Sequence, residues 1–161
     1  MATRITILMA AALMLFGSQA RAEALEDGIA AAKAGDPTKA AGLWAPLASH
    51  GTGQEQLRIA QVYFLGPFGE APNMPKDDAE AAKWFLLAAK QDVAEAQEYV
   101  GVMYAEGHGL TRDRVRAYLW LSLSGDNLNR DKVASTMTTL EITRAQELAM
   151  QCKAPKFENC D

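Results

Sequence analysis

The chain has 161 residues, of which 20 are acidic and 16 basic, and a net charge of −4. This acidic balance, with no stripe of lysine and arginine among aromatic residues, argues against nucleic acid or anionic lipid as the main partner. Only two histidines and two cysteines are present, which leaves few candidates for metal binding or nucleophilic catalysis. A chain of this length forms a single domain by default.

The first 22 residues have the pattern of a cleaved secretory signal. Arg4 precedes an apolar run at 5–16, and the segment ends in the small-x-small sequence at 20–22. The run is too short to span a bilayer, which takes about 20 residues. We predict cleavage after Ala22 and a periplasmic or secreted mature protein, 23–161, that does not insert into a membrane. An uncleaved amphipathic anchor fits poorly, because the segment is apolar all round.

Beyond this segment, apolar residues recur at spacings of three and four, which is typical of helices. Asp36 before Pro37 is an N-cap followed by proline at the first helical position. Glycines interrupt helices at 51–53 and 107–109, and Asp77 opens another helix with an acidic first turn. We predict helices at about 24–34, 37–50, 54–65, 77–91, 94–106, 113–124, 129–137 and 139–152.

The helices carry an internal repeat. An offset of 41 places Gln97, Val100, Gly101 and Tyr104 on Gln56, Ile59, Ala60 and Tyr63. An offset of 36 places Trp120 on Trp84, and Trp44 has the same position in a shorter first copy. A period of this length indicates a solenoid of helix hairpins.

Gly101 lies inside a predicted helix, where glycine costs roughly 1 kcal/mol relative to alanine. We interpret Gly101 and its counterpart Ala60 as packing residues that let the partner helix approach closely. The three tryptophans share one repeat position, so we expect them in the core rather than stacked on a sugar.

The segment "AEAQEYVGVMYAEGHGLTRDRVRAYLWLSLS" resembles nearly a whole Sel-1-like repeat, a tetratricopeptide-like module of exported bacterial proteins among others. The preceding unit departs from that pattern by Ala60 in place of glycine and by a longer loop with prolines. The resemblance implies an all-α, right-handed α/α superhelix of about three hairpin repeats within 23–125. A capping helix pair and a cysteine loop would close it at 126–161.

The resemblance also implies a concave face, lined by the first helix of each unit, that binds proteins or peptides. It brings no catalytic residue and no cofactor. By analogy with tetratricopeptide modules, the partner-binding positions would be Gln54, Leu57, Gln61, Phe64, Glu95, Glu98, Val102 and Glu106. The alternative is that these positions are merely solvated. The loop between Pro67 and Pro75, with Phe68 and Met74, is a second candidate surface or a plain surface insertion.

Motifs for chemistry are missing from the sequence: it has no GxSxG, HExxH, SxxK or P-loop. His50 and His108 each lie at a predicted helix end beside glycine, where they would interact with carbonyl groups rather than act as bases. Asp77 and Asp78 fit a helix start better than a glycosidase pair. We predict a monomer with no enzyme activity and no metal.

The two cysteines, Cys152 and Cys160, close a short terminal stretch with Pro155 between them. In an exported protein this spacing indicates a disulfide. Zinc would need further ligands, and no histidine lies within forty residues. Thr138 and Glu141 form a capping box that would open the last helix.

Together these features predict an interaction module that binds an unknown envelope protein or peptide in a helical groove. One alternative is a cell-wall-derived small ligand, which requires a pocket of convergent polar groups. The other is an envelope hydrolase, which requires clustered carboxylates or histidine with perturbed pKa values.

Overall fold

A computed structural model describes the backbone of residues 2–153 and 160, and the side chains of 17–152 and 160. Its helices are α1 (Ala2–Lys33), α2 (Pro37–Trp44), α3 (Leu47–His50), α4 (Gly53–Leu65), α5 (Asp78–Ala89), α6 (Ala94–Glu106), α7 (Arg114–Ser124), α8 (Asn127–Ala134) and α9 (Thr139–Lys153). A short 3₁₀ turn, Gly66–Phe68, follows α4. The described residues contain no β-strand, so the all-α prediction is confirmed.

Each hairpin packs on the next one along the chain. α1 packs on α2, α4 on α5, and α6 on α7, while α5 also packs on α6 and thereby joins two hairpins. At the end of the stack α7 contacts both α8 and α9. Contacts between sequential neighbours are the defining feature of a solenoid, as the repeat predicts.

Side-chain caps fix where the helices begin. Asp36 accepts a hydrogen bond from the backbone N–H of Lys39, at 2.9 Å, as predicted. The Asp77 and Asp113 carboxylates each accept from two backbone N–H groups in the first turns of α5 and α7. The predicted capping box opens α9, because Glu141 Oε2 accepts from the backbone N–H of Thr138 at 2.7 Å. These bonds satisfy N–H groups that have no partner inside the helix.

Two helix predictions are wrong in extent. The predicted helix at 37–50 is broken after Trp44, since Pro46 has no N–H to donate and a second short helix begins at Leu47. The first helix begins at Ala2 rather than near residue 24, and no proline interrupts the sequence between 2 and 33. The side chains of the apolar run at 5–16 and the predicted turn at Pro155 lie outside the described residues.

The three tryptophans lie in the core, as predicted. Trp44 and Trp120 are fully buried and Trp84 is 7% exposed. The Trp44 indole donates to the carbonyl of Leu25 at 3.2 Å. A Cβ built on Gly28 would overlap that indole, so Gly28 is the small packing residue of the first hairpin.

Two buried glutamines join each hairpin to the helix before it. Gln56 Nε2 donates to the carbonyls of Leu47 and Ala48, at 3.0 and 3.2 Å. Gln97 Nε2 donates to the carbonyl of Ala89 at 3.2 Å. Both side chains thus satisfy carbonyl groups at the end of the preceding helix, which explains why glutamine repeats at this position.

The predicted disulfide between Cys152 and Cys160 is present, with the two Cα atoms 4.9 Å apart and both residues buried. Cys160 borders the same cavity as Leu119 of α7 and Leu148 of α9. The cross-link therefore lies where the last helix meets the repeats. Within the described residues, no helix combines the length and the apolarity that a membrane crossing requires.

Candidate functional site

Two cavities lie between the first helices of successive hairpins. The N-terminal cavity, about 380 Å³, is formed by α1, α4 and the start of α6. The C-terminal cavity, about 210 Å³, is formed by the end of α6, α7, α8 and the segments that flank α7 and α8. Glu95 borders the first and Glu106 the second, so α6 connects them over about 16 Å at 1.5 Å per residue. We call the two cavities and the α6 surface between them the groove.

Polar residues of two helices meet in the N-terminal cavity. Gln61 Nε2 donates to Glu95 Oε1 at 2.7 Å and thereby ties α4 to α6. Leu57 is 4% exposed and lies at the base, so it contributes to packing as well as to the cavity lining. Gln54 is exposed at the edge.

Acidic residues surround Arg58, the one cation among the described residues that line this cavity. The Arg58 guanidinium donates to both carboxylate oxygens of Glu70, each at 3.0 Å, and also to Glu26. The hydrogen bond that Arg58 donates to Glu70 is the main cause that raises the pKa of Arg58 above its usual range. Glu95 also borders the cavity, and Glu55 there lies 3.6 Å from Arg21, so the carboxylates around the cavity outnumber the guanidinium groups.

Cationic residues dominate the C-terminal cavity. Its base is apolar, and Arg112, Arg114 and Lys132 lie around it. Arg114 donates to the carbonyl of Thr136 at 3.1 Å and to Glu141 Oε1 at 3.3 Å, which anchors the start of α7 to the last two helices.

Aromatic packing supports the surface between the two cavities. Phe64 is half-buried and meets the rings of Phe85 and Tyr99 edge-on, with centroids 5.9 and 5.4 Å apart. Burial, then the nearby charges of Glu95 and Glu98, raise the pKa of Tyr99. Phe64 therefore packs between helices, whereas Glu98 is exposed on α6.

The structure brings most of the predicted partner-binding residues into this groove. The lining of the N-terminal cavity includes Gln54, Leu57, Gln61 and Glu95, and that of the C-terminal cavity includes Val102 and Glu106. The repeat pattern predicts no role for Arg112 and Lys132, because the first lies in a loop and the second in a helix of the predicted cap. A signal was present, however, in the cluster of arginines at 112–116.

The loop after α4 presents one exposed aromatic residue. Phe68 is 91% exposed, as a contact surface requires, but Met74 is 1% exposed and belongs to the core. The expectation that Met74 contributes to an exposed surface is therefore wrong. Asn73 Nδ2 donates to the carbonyl of Lys33 at 2.6 Å, so this loop is held against the first hairpin.

The residues weighed for catalysis lie at helix ends. His50 ends α3, and His108 lies after α6 with its Nδ1 3.3 Å from Glu106 Oε2. Asp77 caps α5, and Asp78 pairs with Lys76 at 2.9 Å. No group of three or more histidine, cysteine or acidic side chains in the described part of the chain has metal-binding geometry.

Comparison with known proteins identifies the repeat. The family model described as "Sel1 repeat" matches residues 56–93 and 94–127. A solved structure, c5321, described as a protective antigen of uropathogenic Escherichia coli strains displaying an SLR fold, superposes with a TM-score of 0.62 at 24% sequence identity. The match covers 78% of this chain but only 27% of that one. A comparison with curated proteins gave no match.

The two matched segments correspond to the α4–α5 and α6–α7 hairpins, although the first begins at Gln56, three residues inside α4. Sel1 repeats are generally protein-interaction modules without catalytic residues. The resemblance noted in the sequence is confirmed by both comparisons. The chain contains two Sel1 repeats, at 56–93 and 94–127, within an SLR-type helical solenoid.

Proposed function

We propose that this protein binds a protein or peptide of the bacterial envelope along the groove. The observation that carries the proposal is the pair of cavities between the first helices of consecutive hairpins, since Sel1 repeats generally bind proteins. Both cavities mix polar and apolar lining, as peptide-binding surfaces do. The signal-like segment at 1–22 and the disulfide support an exported protein.

Binding in an extended conformation suits this groove. Its length along α6, about 16 Å, matches about five residues of extended chain. Exposed Gln54 and Glu98 provide polar groups for the peptide backbone, while Val102 gives an apolar contact. The groove is open and shallow rather than an enclosed pocket, which favours a peptide over a cell-wall-derived small ligand.

The test is a crosslinking pull-down from periplasmic extract with the wild-type protein and a groove variant, Gln61→Ala, Glu98→Ala and Val102→Ala. A matched variant on α9, Gln151→Ala, Glu147→Ala and Met150→Ala, changes three exposed residues of similar type outside the groove. We expect a partner that the wild type and the α9 variant capture and the groove variant loses. Equal capture by all three folded proteins would refute binding in the groove.

A further inference from the structure

The base of the C-terminal cavity is apolar and comes from three helices. Val102 of α6, Leu121 of α7 and Val133 of α8 contribute to it. The cavity volume of about 210 Å³ exceeds the roughly 150 Å³ that suffices for benzene in an engineered protein cavity. It therefore has room for one large apolar side chain.

Two cations beside this base have no acidic partner in the described part of the chain. Among the described residues, no carboxylate lies within ion-pair distance of Arg112 or Lys132, whereas Arg114 is paired with Glu141. Among the described residues that line the cavity, Glu106 is the one acidic residue, and its carboxylate lies 3.3 Å from the imidazole of His108. The cavity consequently carries a positive surplus in a chain whose net charge is negative.

The opposite end of the groove has the opposite sign. In the N-terminal cavity the charge of Arg58 is compensated by Glu70 and Glu26, Glu55 is paired with Arg21, and Glu95 adds further negative charge. A peptide in the groove meets an acidic surface at one end and a basic surface at the other. This asymmetry favours one orientation, with the negative end of the peptide in the C-terminal cavity.

We propose that the C-terminal cavity binds the last residue of a partner protein, with its apolar side chain on the base and its terminal carboxylate at Arg112 and Lys132. Only a chain end carries an apolar side chain and a carboxylate on the same residue. An internal acidic residue would instead put its charge on the side chain, toward Val102 and Leu121. This inference rests on the proposed function, since it names which part of a peptide occupies the groove.

The test selects peptides that bind the full-length protein from two random hexapeptide libraries. One library displays the hexamers with a free C-terminus, and the other follows them with a fixed Gly-Ser tail. Selected peptides are then synthesised as free acids and as amides, and their Kd is measured by fluorescence polarisation. The variants are Arg112→Gln with Lys132→Gln, and a charge-matched control, Lys33→Gln with Lys39→Gln, whose exposed side chains lie outside the groove.

We expect selection from the free-end library, with an apolar last residue in the selected peptides. Amidation and the Arg112→Gln, Lys132→Gln variant should each weaken binding at least tenfold, because each removes a charge-assisted contact. The control variant should bind like the wild type. Equal affinity of acid and amide would overturn the inference, as would selection from the tailed library alone or from neither library.

A second pair of substitutions, Gln61→Ala with Glu98→Ala, separates this inference from the proposed function. Suppose that the selected peptides bind the Gln61→Ala, Glu98→Ala variant more weakly than the wild type but bind the Arg112→Gln, Lys132→Gln variant equally well. The groove then binds peptides, and the carboxylate contact is refuted. If neither double variant changes the affinity for the peptides, peptide binding in the groove and the carboxylate contact are both refuted.

Discussion

Gly101 of α6 lies directly against Leu121 of α7: a Cβ built on Gly101 would lie 2.6 Å from Leu121 Cγ. Only a residue without a side chain allows these two helices to approach so closely. Gly101→Leu should lower the free energy of unfolding by at least about 1–3 kcal/mol, because an added side chain overpacks this contact. Thermal and denaturant unfolding measure the effect.

Gly42 of α2 provides the control for this prediction. It is exposed, and a Cβ built on it would meet no atom within 4 Å. Gly42→Ala should therefore stabilise the protein by about 0.4–1 kcal/mol through the unfolded chain, whereas Gly101→Ala should destabilise it. Similar effects of the two alanines would contradict the close approach of α6 and α7.

The two buried glutamines should differ in their contribution to stability. Gln56 donates to two carbonyls, and its Oε1 accepts from Gln91 at 2.7 Å, whereas Oε1 of Gln97 has no hydrogen-bond partner within the described residues. Replacement of Gln56 by Met should cost about 1–3 kcal/mol, since it leaves buried polar groups unsatisfied. Gln97→Met should cost less, because it also removes an unsatisfied oxygen. Urea unfolding of both variants measures the order, and a larger loss for Gln97→Met would disprove this account.

Tyr63 should make stability fall at alkaline pH. Burial, with the nearby charges of Glu80 and Asp77, raises its pKa to about 12. The unfolded chain, with a pKa near 10, releases the tyrosine proton first, so stability is full below pH 10 and is lost as the pH rises toward 12. Between pH 9 and 12, we expect the free energy of unfolding of Tyr63→Phe to fall by about 2–3 kcal/mol less than that of the wild type.

The two unfolding curves against pH provide the measurement. Other groups titrate in this range, but they are common to both proteins and cancel in the comparison. Parallel curves for the wild type and Tyr63→Phe would show that the Tyr63 hydroxyl is not buried from water as the structure has it.

Reduction of the disulfide should weaken the C-terminal end. Opening the short loop between Cys152 and Cys160 removes a constraint on the unfolded chain that is worth about 2–3 kcal/mol by chain-entropy arithmetic. Chemical denaturation with and without reductant tests this, with thiol labelling to prove reduction. The variant Cys152→Ala with Cys160→Ala should not respond to reductant, and a wild type that keeps its full stability after reduction would argue against the role of the cross-link.

Export should remove residues 1–22. We expect intact-mass analysis of the protein from a periplasmic fraction to give a chain that begins at Glu23, and Ala20→Phe to leave the precursor uncut, since the site needs small residues. Cleavage would remove Arg21, which lies 3.6 Å from Glu55. It would keep the contacts of Leu25 and Gly28 in α1 with Trp44 of α2. A full-length mass in the periplasm would refute the predicted site.

Repetition explains which features the sequence could predict. Three predictions depend on a local pattern or on a fixed sequence offset, and all three are confirmed: the buried tryptophans, the close packing at Gly101 and the Asp36 cap. The break at Pro46 was missed, although it depends on one residue alone, because apolar spacing continues across it. Helix ends elsewhere agree to within a few residues.

The charge distribution of the groove could not be predicted in this way. Arg58 contacts Glu26, 32 positions away in the sequence, and Arg112 and Lys132 line one cavity because α8 packs back on α7. Met74 was misplaced for a similar reason, since nothing in a proline-containing loop shows which residue turns inward. Such contacts depend on the stacking of hairpins, which no single repeat encodes.

The side chain of Gln91 couples the unfolding of neighbouring repeats. Its Nε2 donates to the carbonyl of Gly51 and to Gln56 Oε1, and Gln56 in turn holds the carbonyls of Leu47 and Ala48. The ends of the first and second hairpins and the start of α4 therefore share one hydrogen-bonded chain. Because the first two hairpins cannot separate without breaking these hydrogen bonds, we expect them to unfold together.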